Sequence, residues 1–210
     1  MKRILALALL ATLLLPVSAS AGVYEDMLNA VNMKDLGKVA GLLQRGMDVN
    51  TSDSSGNSLL MLAVQNGDLA ILEVLLRNKA NVLSINKHGD SALMLAALRG
   101  HLKIASALVA AGAEIDPQGW TPLIYAAFEG HAEMVRFLLT LDVDIDAQAD
   151  NGMTALMAAS RNGHLEVVKI LLGQEADVSL VNRSKLTALD MASSAGNKDI
   201  VLELSRAAGR

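Results

Sequence analysis

Apolar positions along the chain fall into two regimes. From Ile4 to Leu15 they form one continuous run behind Lys2 and Arg3. Beyond Pro16 they come in short stretches broken by glycine or charge, and those stretches recur. Glycines stand at Gly67, Gly100, Gly130, Gly163 and Gly196, with steps of 33, 30, 33 and 33. Four residues before each glycine lies an alanine: Ala63, Ala96, Ala126, Ala159 and Ala192. Five residues ahead of those come Ser58, Ser91, Thr121, Thr154 and Thr187, each followed two positions later by a leucine. Agreement in phase over five copies marks a chain built from one repeated supersecondary unit.

The recurring residues predict the unit. A hydroxyl side chain accepts a backbone N–H as a helix N-cap, and Pro122 suits the first helical position, where no N–H is needed. Glycine takes the left-handed conformation that ends a helix and reverses the chain. The alanines leave room for a neighbouring helix to approach closely. After the glycine a second amphipathic run begins, as in His164–Leu172, with helical apolar spacing. Each unit therefore reads as two short antiparallel helices and a polar connection. The chain is expected to be an all-α solenoid of about six such helix-turn-helix units. Residues 24–50 form an N-terminal cap, 51–185 four full repeats and 186–210 a C-terminal cap.

In these residues the chain resembles the ankyrin repeat family. Gly119-Trp120-Thr121-Pro122-Leu123-Ile124-Tyr125-Ala126-Ala127 follows that family's first-helix motif except that Ile124 replaces histidine, and Gly163–Leu172 follows its second-helix motif. The departures carry expectations. Met61, Met94, Ile124, Met157 and Asp190 stand where the family has that histidine, so its hydrogen bonds should be missing. The family's glycine after the second helix appears as Gly46 and Gly112 but is replaced by Lys79, Asp142 and Glu175. A left-handed backbone at those three would cost roughly 1–2 kcal/mol each. The connection between Gly112 and Gly119 is three residues short and contains Pro117.

The first regime reads as an address. A basic start, the apolar run, Pro16 and the small-residue pattern Ala19-Ser20-Ala21 predict a cleavable signal peptide over residues 1–21. The run is shorter than the ~20 residues that span a bilayer, and an uncleaved anchor is the alternative. Residues 22–210 are thus expected in the periplasm, with secretion outside the cell as second choice, and without stable membrane insertion after cleavage.

Composition narrows the chemistry. The chain is 210 residues, 52% hydrophobic but 2% aromatic, so its core must be built from Ala, Leu, Val, Ile and Met, which favours close-packed helices. Zero cysteine removes disulfides, thiol catalysis and cysteine metal sites. A net charge of -4 gives nucleic-acid phosphates no electrostatic reason to bind. His101, His131 and His164 follow the repeat glycines and, by the resemblance, are structural; His88 lies alone in a connection. Asp142, Asp144, Asp146 and Asp150 look most like a metal cluster, yet an EF-hand loop started at Asp142 puts Ala147 at the required glycine and Met153 at the bidentate carboxylate. No nucleophile stands in a recognisable motif with its base. The expectation is a non-catalytic chain with no metal or other cofactor.

Repeat stacks expose a long concave surface. The resemblance implies that partners meet the hairpin tips and the exposed positions of the first helices. Most of those positions are polar here, but the middle is not. Leu98, Trp120, Phe128 and Met153 are expected to form a binding floor bordered by Arg99 and Arg161, with Lys87 and His88 on the adjoining tip. Exposed Trp and Arg often dominate binding energy. The competing expectation is that Trp120 folds over the shortened turn as a local staple. The expected task is binding a protein partner as a monomer. Two versions are open: an inhibitor or immunity protein, or a helper of an exported enzyme such as a catalase, which the resemblance permits. A small-ligand or haem carrier is the alternative from another class, with His88 as the axial candidate.

Overall fold

The computed structural model describes residues 17–209. Most of the expected signal peptide, residues 1–16, lies outside them, while residues 17–21 already belong to the first helix. Twelve helices are present among the described residues, and they pair in chain order. The first hairpin joins α1 (Val17–Asn32) to α2 (Leu36–Gln44), the second α3 (Leu59–Gln65) to α4 (Leu69–Arg77), the third α5 (Ala92–Arg99) to α6 (Leu102–Ala110). The remaining three join α7 (Pro122–Glu129) to α8 (Ala132–Leu138), α9 (Ala155–Asn162) to α10 (Leu165–Gly173), and α11 (Ala188–Ala195) to α12 (Lys198–Ala208). The six-unit all-α solenoid is therefore present. No described helix is long and apolar enough to cross a membrane.

Successive hairpins stack in two rows. The odd-numbered helices pack directly on one another, because Ala96, Ala97, Ala126, Ala127, Ala158 and Ala159 are fully buried and let the backbones close in. Even-numbered helices touch less closely, so the stack bends with the odd row inside. Ile71, Leu72, Leu75, Leu108, Met134, Leu138 and Leu171 fill the space between the rows. Removal of such apolar surface from water is the main force joining the repeats.

The recurring hydroxyls cap helices as expected. Ser58, Ser91, Thr121, Thr154 and Thr187 each accept the backbone N–H three residues on, an interaction worth ~1 kcal/mol per cap. Gly67, Gly100, Gly130, Gly163 and Gly196 are left-handed, with φ between 67° and 83°. Two of the histidines that follow them tie repeats together. His131 Nε2 lies 3.1 Å from the Leu98 carbonyl and His164 Nε2 2.9 Å from that of Phe128, each ring lying over the previous repeat's glycine. Asn197 does the same work at the last joint, donating to Ser160 and Arg161 carbonyls.

Two expectations need correction. The bonds of the missing motif histidine are not lost everywhere: the Ser91 amide donates to the Met94 thioether and the Thr187 amide and hydroxyl donate to the Asp190 carboxylate, closing the first turn reciprocally. Lys79 (φ 64°) and Glu175 (φ 62°) do keep the left-handed backbone, but Asp142 does not. The helix before it, α8, stops at Leu138, whereas its counterparts run to Arg77 and Gly173, so the chain leaves by another path. Two further left-handed residues, Lys34 and Lys185, went unforeseen; they replace the interhelix and fingertip glycines of the other repeats.

The connections between hairpins project as five fingers over residues 45–58, 78–91, 111–121, 139–154 and 174–187. The first two each close with an antiparallel bridge, Ser52 with Ser58 and Ile85 with Ser91. Between them run the bond from Asn86 Nδ2 to Asn57 Oδ1 (3.0 Å) and the Lys87 amide to the Ser55 carbonyl (3.1 Å).

Candidate partner-binding face

The inner row and the fingers carry the candidate residues. Trp120 sits at the base of the short third finger, immediately before the Thr121 cap that starts α7. Its ring lies 5.0 Å from Tyr125 and 5.8 Å from Phe128, the latter edge to face. Both partners lie on α7 at a spacing of three, which places them on one side of the helix. Such aromatic pairs are worth about 0.5–1.5 kcal/mol each beyond the area they bury. All three rings remain part-exposed, so the cluster is a surface feature backed by the core rather than part of it.

Charge is built into the cluster from both neighbouring repeats. The guanidinium of Arg161, on α9, lies 5.6 Å from the Phe128 ring centroid, a cation–π contact. From the other side the Tyr125 hydroxyl donates to Asp90 Oδ1 at 2.7 Å. Burial, reinforced by the bond to Asp90 and its charge, pushes the Tyr125 hydroxyl above the ordinary tyrosine value, so it stays a donor. Tyr125 and Asp90 were absent from the sequence-derived floor. The signal was available in the three-residue step from Tyr125 to Phe128.

The other expected residues divide. Leu98, in the register of Phe128 one repeat earlier, is half-buried, and Arg99 beyond it is exposed. Lys87 and His88 are exposed at the tip of the second finger. Met153 must be removed from the floor: it is 5% exposed and belongs to the core. Its place in the turn matches that of Trp120, but here the side chain turns under into the core, its amide tied to Asn151 Oδ1 at 3.0 Å. As for the staple reading, Trp120 does pack locally, on Tyr125 and Phe128, while keeping part of its ring open.

Elsewhere chemistry is sparse. Among the described residues, no three acidic or histidine side chains converge as metal ligands. The acidic residues 144, 146 and 177 instead accept backbone amides in a ladder: Asp146 donates to Asp144, and Asp177 to Asp146. A groove of roughly 580 Å³ lies on the outer row, lined by Leu69, Leu102, Arg136 and Phe137, away from the aromatic cluster.

The family profile described as ankyrin repeats (3 copies) matches residues 27–118, 60–149 and 139–209. No curated protein matches the chain. Among solved structures, the human ASB11 ankyrin repeat domain is 26% identical with a TM-score of 0.80, over 86% of this chain and 82% of that one. A chain from the complex of the Bdellovibrio bacteriovorus predatory endopeptidase Bd0816 with the immunity protein Bd3460 is 31% identical with a TM-score of 0.78. That match spans 87% of this chain and 97% of the other.

Proposed function

The chain belongs to the ankyrin repeat family, and on that premise we propose that it is a non-catalytic inhibitor, of the immunity type, acting on an exported enzyme in the periplasm. It binds that enzyme through the inner face around Trp120, Tyr125 and Phe128. The observation that carries the reading is the concentration of aromatic side chains there. In a chain with one Trp, two Tyr and two Phe, three of those five rings form one part-exposed cluster with Arg161 over Phe128. Aromatics and Arg are the residues that most often dominate binding energy. The likeness to a chain of an endopeptidase–immunity protein complex, nearly over that chain's whole length, supports the inhibitor version over the helper of an enzyme such as a catalase. The exposure of His88 on a fingertip, rather than in an apolar pocket, favours protein binding over a haem carrier.

Affinity capture from a periplasmic extract with the wild type and with Trp120→Ala tests the reading. The recovered enzyme is then assayed with and without added chain. The wild type is expected to recover and inhibit an enzyme that the variant recovers at least thirty-fold more weakly, about 2 kcal/mol. Equal recovery by both baits would remove the face. An enzyme protected or stimulated by the chain would replace the inhibitor by the helper.

A further inference from the structure

Charge is unevenly spread over the finger row. The third and fourth fingers carry Glu114, Asp116, Asp142, Asp144, Asp146 and Asp150 and no lysine or arginine. Asp146 is part-exposed and the other five are exposed. Among the described residues none of the six is in an ion pair. Backbone amides set three of the carboxylates in line across the fingers. Asp116 Oδ2 accepts the Asp144 amide at 3.1 Å, Asp144 Oδ1 that of Asp146 at 3.0 Å, and Asp146 Oδ1 that of Asp177 at 2.9 Å. Like charges held this way repel one another, and at physiological salt the repulsion reaches ~8 Å before solution ions screen it.

Cations elsewhere on the face do not offset these acids. The second finger with α5, α7 and α9 adds Lys79, Lys87, Arg99 and Arg161 against Asp90 and Glu129. The first and fifth fingers with α1, α3 and α11 add three cations and seven acids, so the face as a whole is acidic. Trp120 stands on the third finger itself, four residues after Asp116. Arg161 already covers the Phe128 ring at 5.6 Å, whereas among the described residues no cation lies over Trp120 or Tyr125. Tyr125, 5.0 Å from the indole, carries the 2.7 Å bond to Asp90, a carboxylate that no lysine or arginine pairs with among the described residues. An indole is the best of the aromatic rings at receiving a cation, and this one is part-exposed with a carboxylate one ring away.

We propose that this face takes a basic segment of the partner enzyme, with one lysine or arginine side chain lying on Trp120 beside Asp90. The proposal rests on the protein-binding reading above and names the partner chemistry that reading leaves open. Further basic side chains of the same segment meet the carboxylates of the third and fourth fingers and relieve their mutual repulsion. The acidic fingers also draw a basic surface in before contact, and they turn acidic ones away. The aromatic rings supply the anchor and the fingers supply the choice of partner.

Trp120 is the only tryptophan, so its emission reports on this spot directly. In the wild type alone, caesium should quench it more than iodide does, each relative to free N-acetyltryptophanamide. A decapeptide of alternating Lys and Ala should give a saturable emission change that weakens as salt rises, and its Glu–Ala counterpart should bind roughly ten-fold more weakly or not at all. Asp90→Asn keeps an acceptor for the Tyr125 hydroxyl and removes only the charge, so it should weaken the Lys–Ala peptide with the helical circular dichroism unchanged. Glu114→Gln, Asp116→Asn, Asp142→Asn and Asp144→Asn together should weaken it roughly ten-fold and flatten its salt dependence. A preference for iodide, no saturable response to the Lys–Ala peptide, equal response to the Glu–Ala peptide, or full binding by the neutralised variants would each overturn the basic partner. Trp120-dependent capture of an enzyme alongside any of those results would leave the protein-binding reading standing. Capture that ignores Trp120 would remove that reading itself.

Discussion

Replacing left-handed non-glycine residues by glycine should stabilise this chain, with a sign that depends on backbone rather than on family pattern. Lys79, Glu175 and Lys185 have φ of 64°, 62° and 62°. An L-residue there costs roughly 1–2 kcal/mol, because Cβ approaches the following carbonyl. Glycine removes that strain but loses about 0.5–1 kcal/mol more backbone entropy on folding. The net gain is therefore about 0.5–1 kcal/mol per site. Glu175 also places a negative charge at the C-terminal end of α10, where the helix dipole disfavours it, so Glu175→Gly should gain more than Lys79→Gly, whose cation the dipole favours. Lys79 lies on the second finger and Glu175 and Lys185 near opposite ends of the fifth, and with additive effects the triple variant should gain roughly 1.5–3 kcal/mol, or about 4–10 °C in Tm for a domain of this size. Asp142 is the control. It occupies the matching repeat position without a positive φ, so Asp142→Gly should lose about 0.5–1 kcal/mol. Urea unfolding followed by circular dichroism at 222 nm reads each midpoint, with an unchanged slope as the condition for comparison. If Asp142→Gly stabilised as much as Lys79→Gly, the strain argument would fail.

Two further outcomes follow from single groups. Ser160 is fully buried on α9 and its hydroxyl has no partner, the lone such side-chain atom among the described residues. Ser160→Ala should therefore raise stability by about 1 kcal/mol, read as a higher urea midpoint, and a lower midpoint would mean that the hydroxyl is satisfied in solution. His101 is held below the ordinary histidine pKa, first by desolvation and then by Arg99, His131 and Lys34. The unfolded chain then binds the proton more readily, so this stability is full above about pH 6.5 and declines as pH falls through that value. Urea midpoints at pH 7.5 and 5.5 should differ less in His101→Gln than in the wild type; an identical difference would refute the assignment.

Much of the fold was legible because its determinants are local and repeated. A hydroxyl three residues ahead of the amide it caps, and a glycine at each reversal, act within a few residues of themselves, so five in-phase copies declare them. The fate of Asp142 was not legible, since it depends on α8 ending early. Neither was the conversion of Met94 and Asp190 into reciprocal caps, because a thioether or carboxylate in that position reveals its acceptor role only when the rotamer is seen. Site residues divided on the same principle. Trp120, Phe128 and Arg161 could be placed on one surface by register alone. Met153 could not be excluded by register, because the same repeat position is buried at Met153, part-exposed at Trp120 and 38% exposed at Leu186.

Neighbour-only contact between hairpins explains how the stack tolerates a specialised centre. In a globule with one indivisible core, deleting three residues and adding a proline would disturb packing far from the change. Here each hairpin touches only its neighbours, and the caps of α7, the His131 and His164 bonds and the alanine contacts of the inner row remain intact around the short third finger. The disturbance is confined to the finger row and removes no core. The short finger carries Trp120, and the core beneath holds the three rings in place without a partner. A rigid, part-exposed aromatic surface loses little entropy on binding. The face proposed for recognition thus stands on a core that holds around the short finger, and its rings add packing of their own to that core.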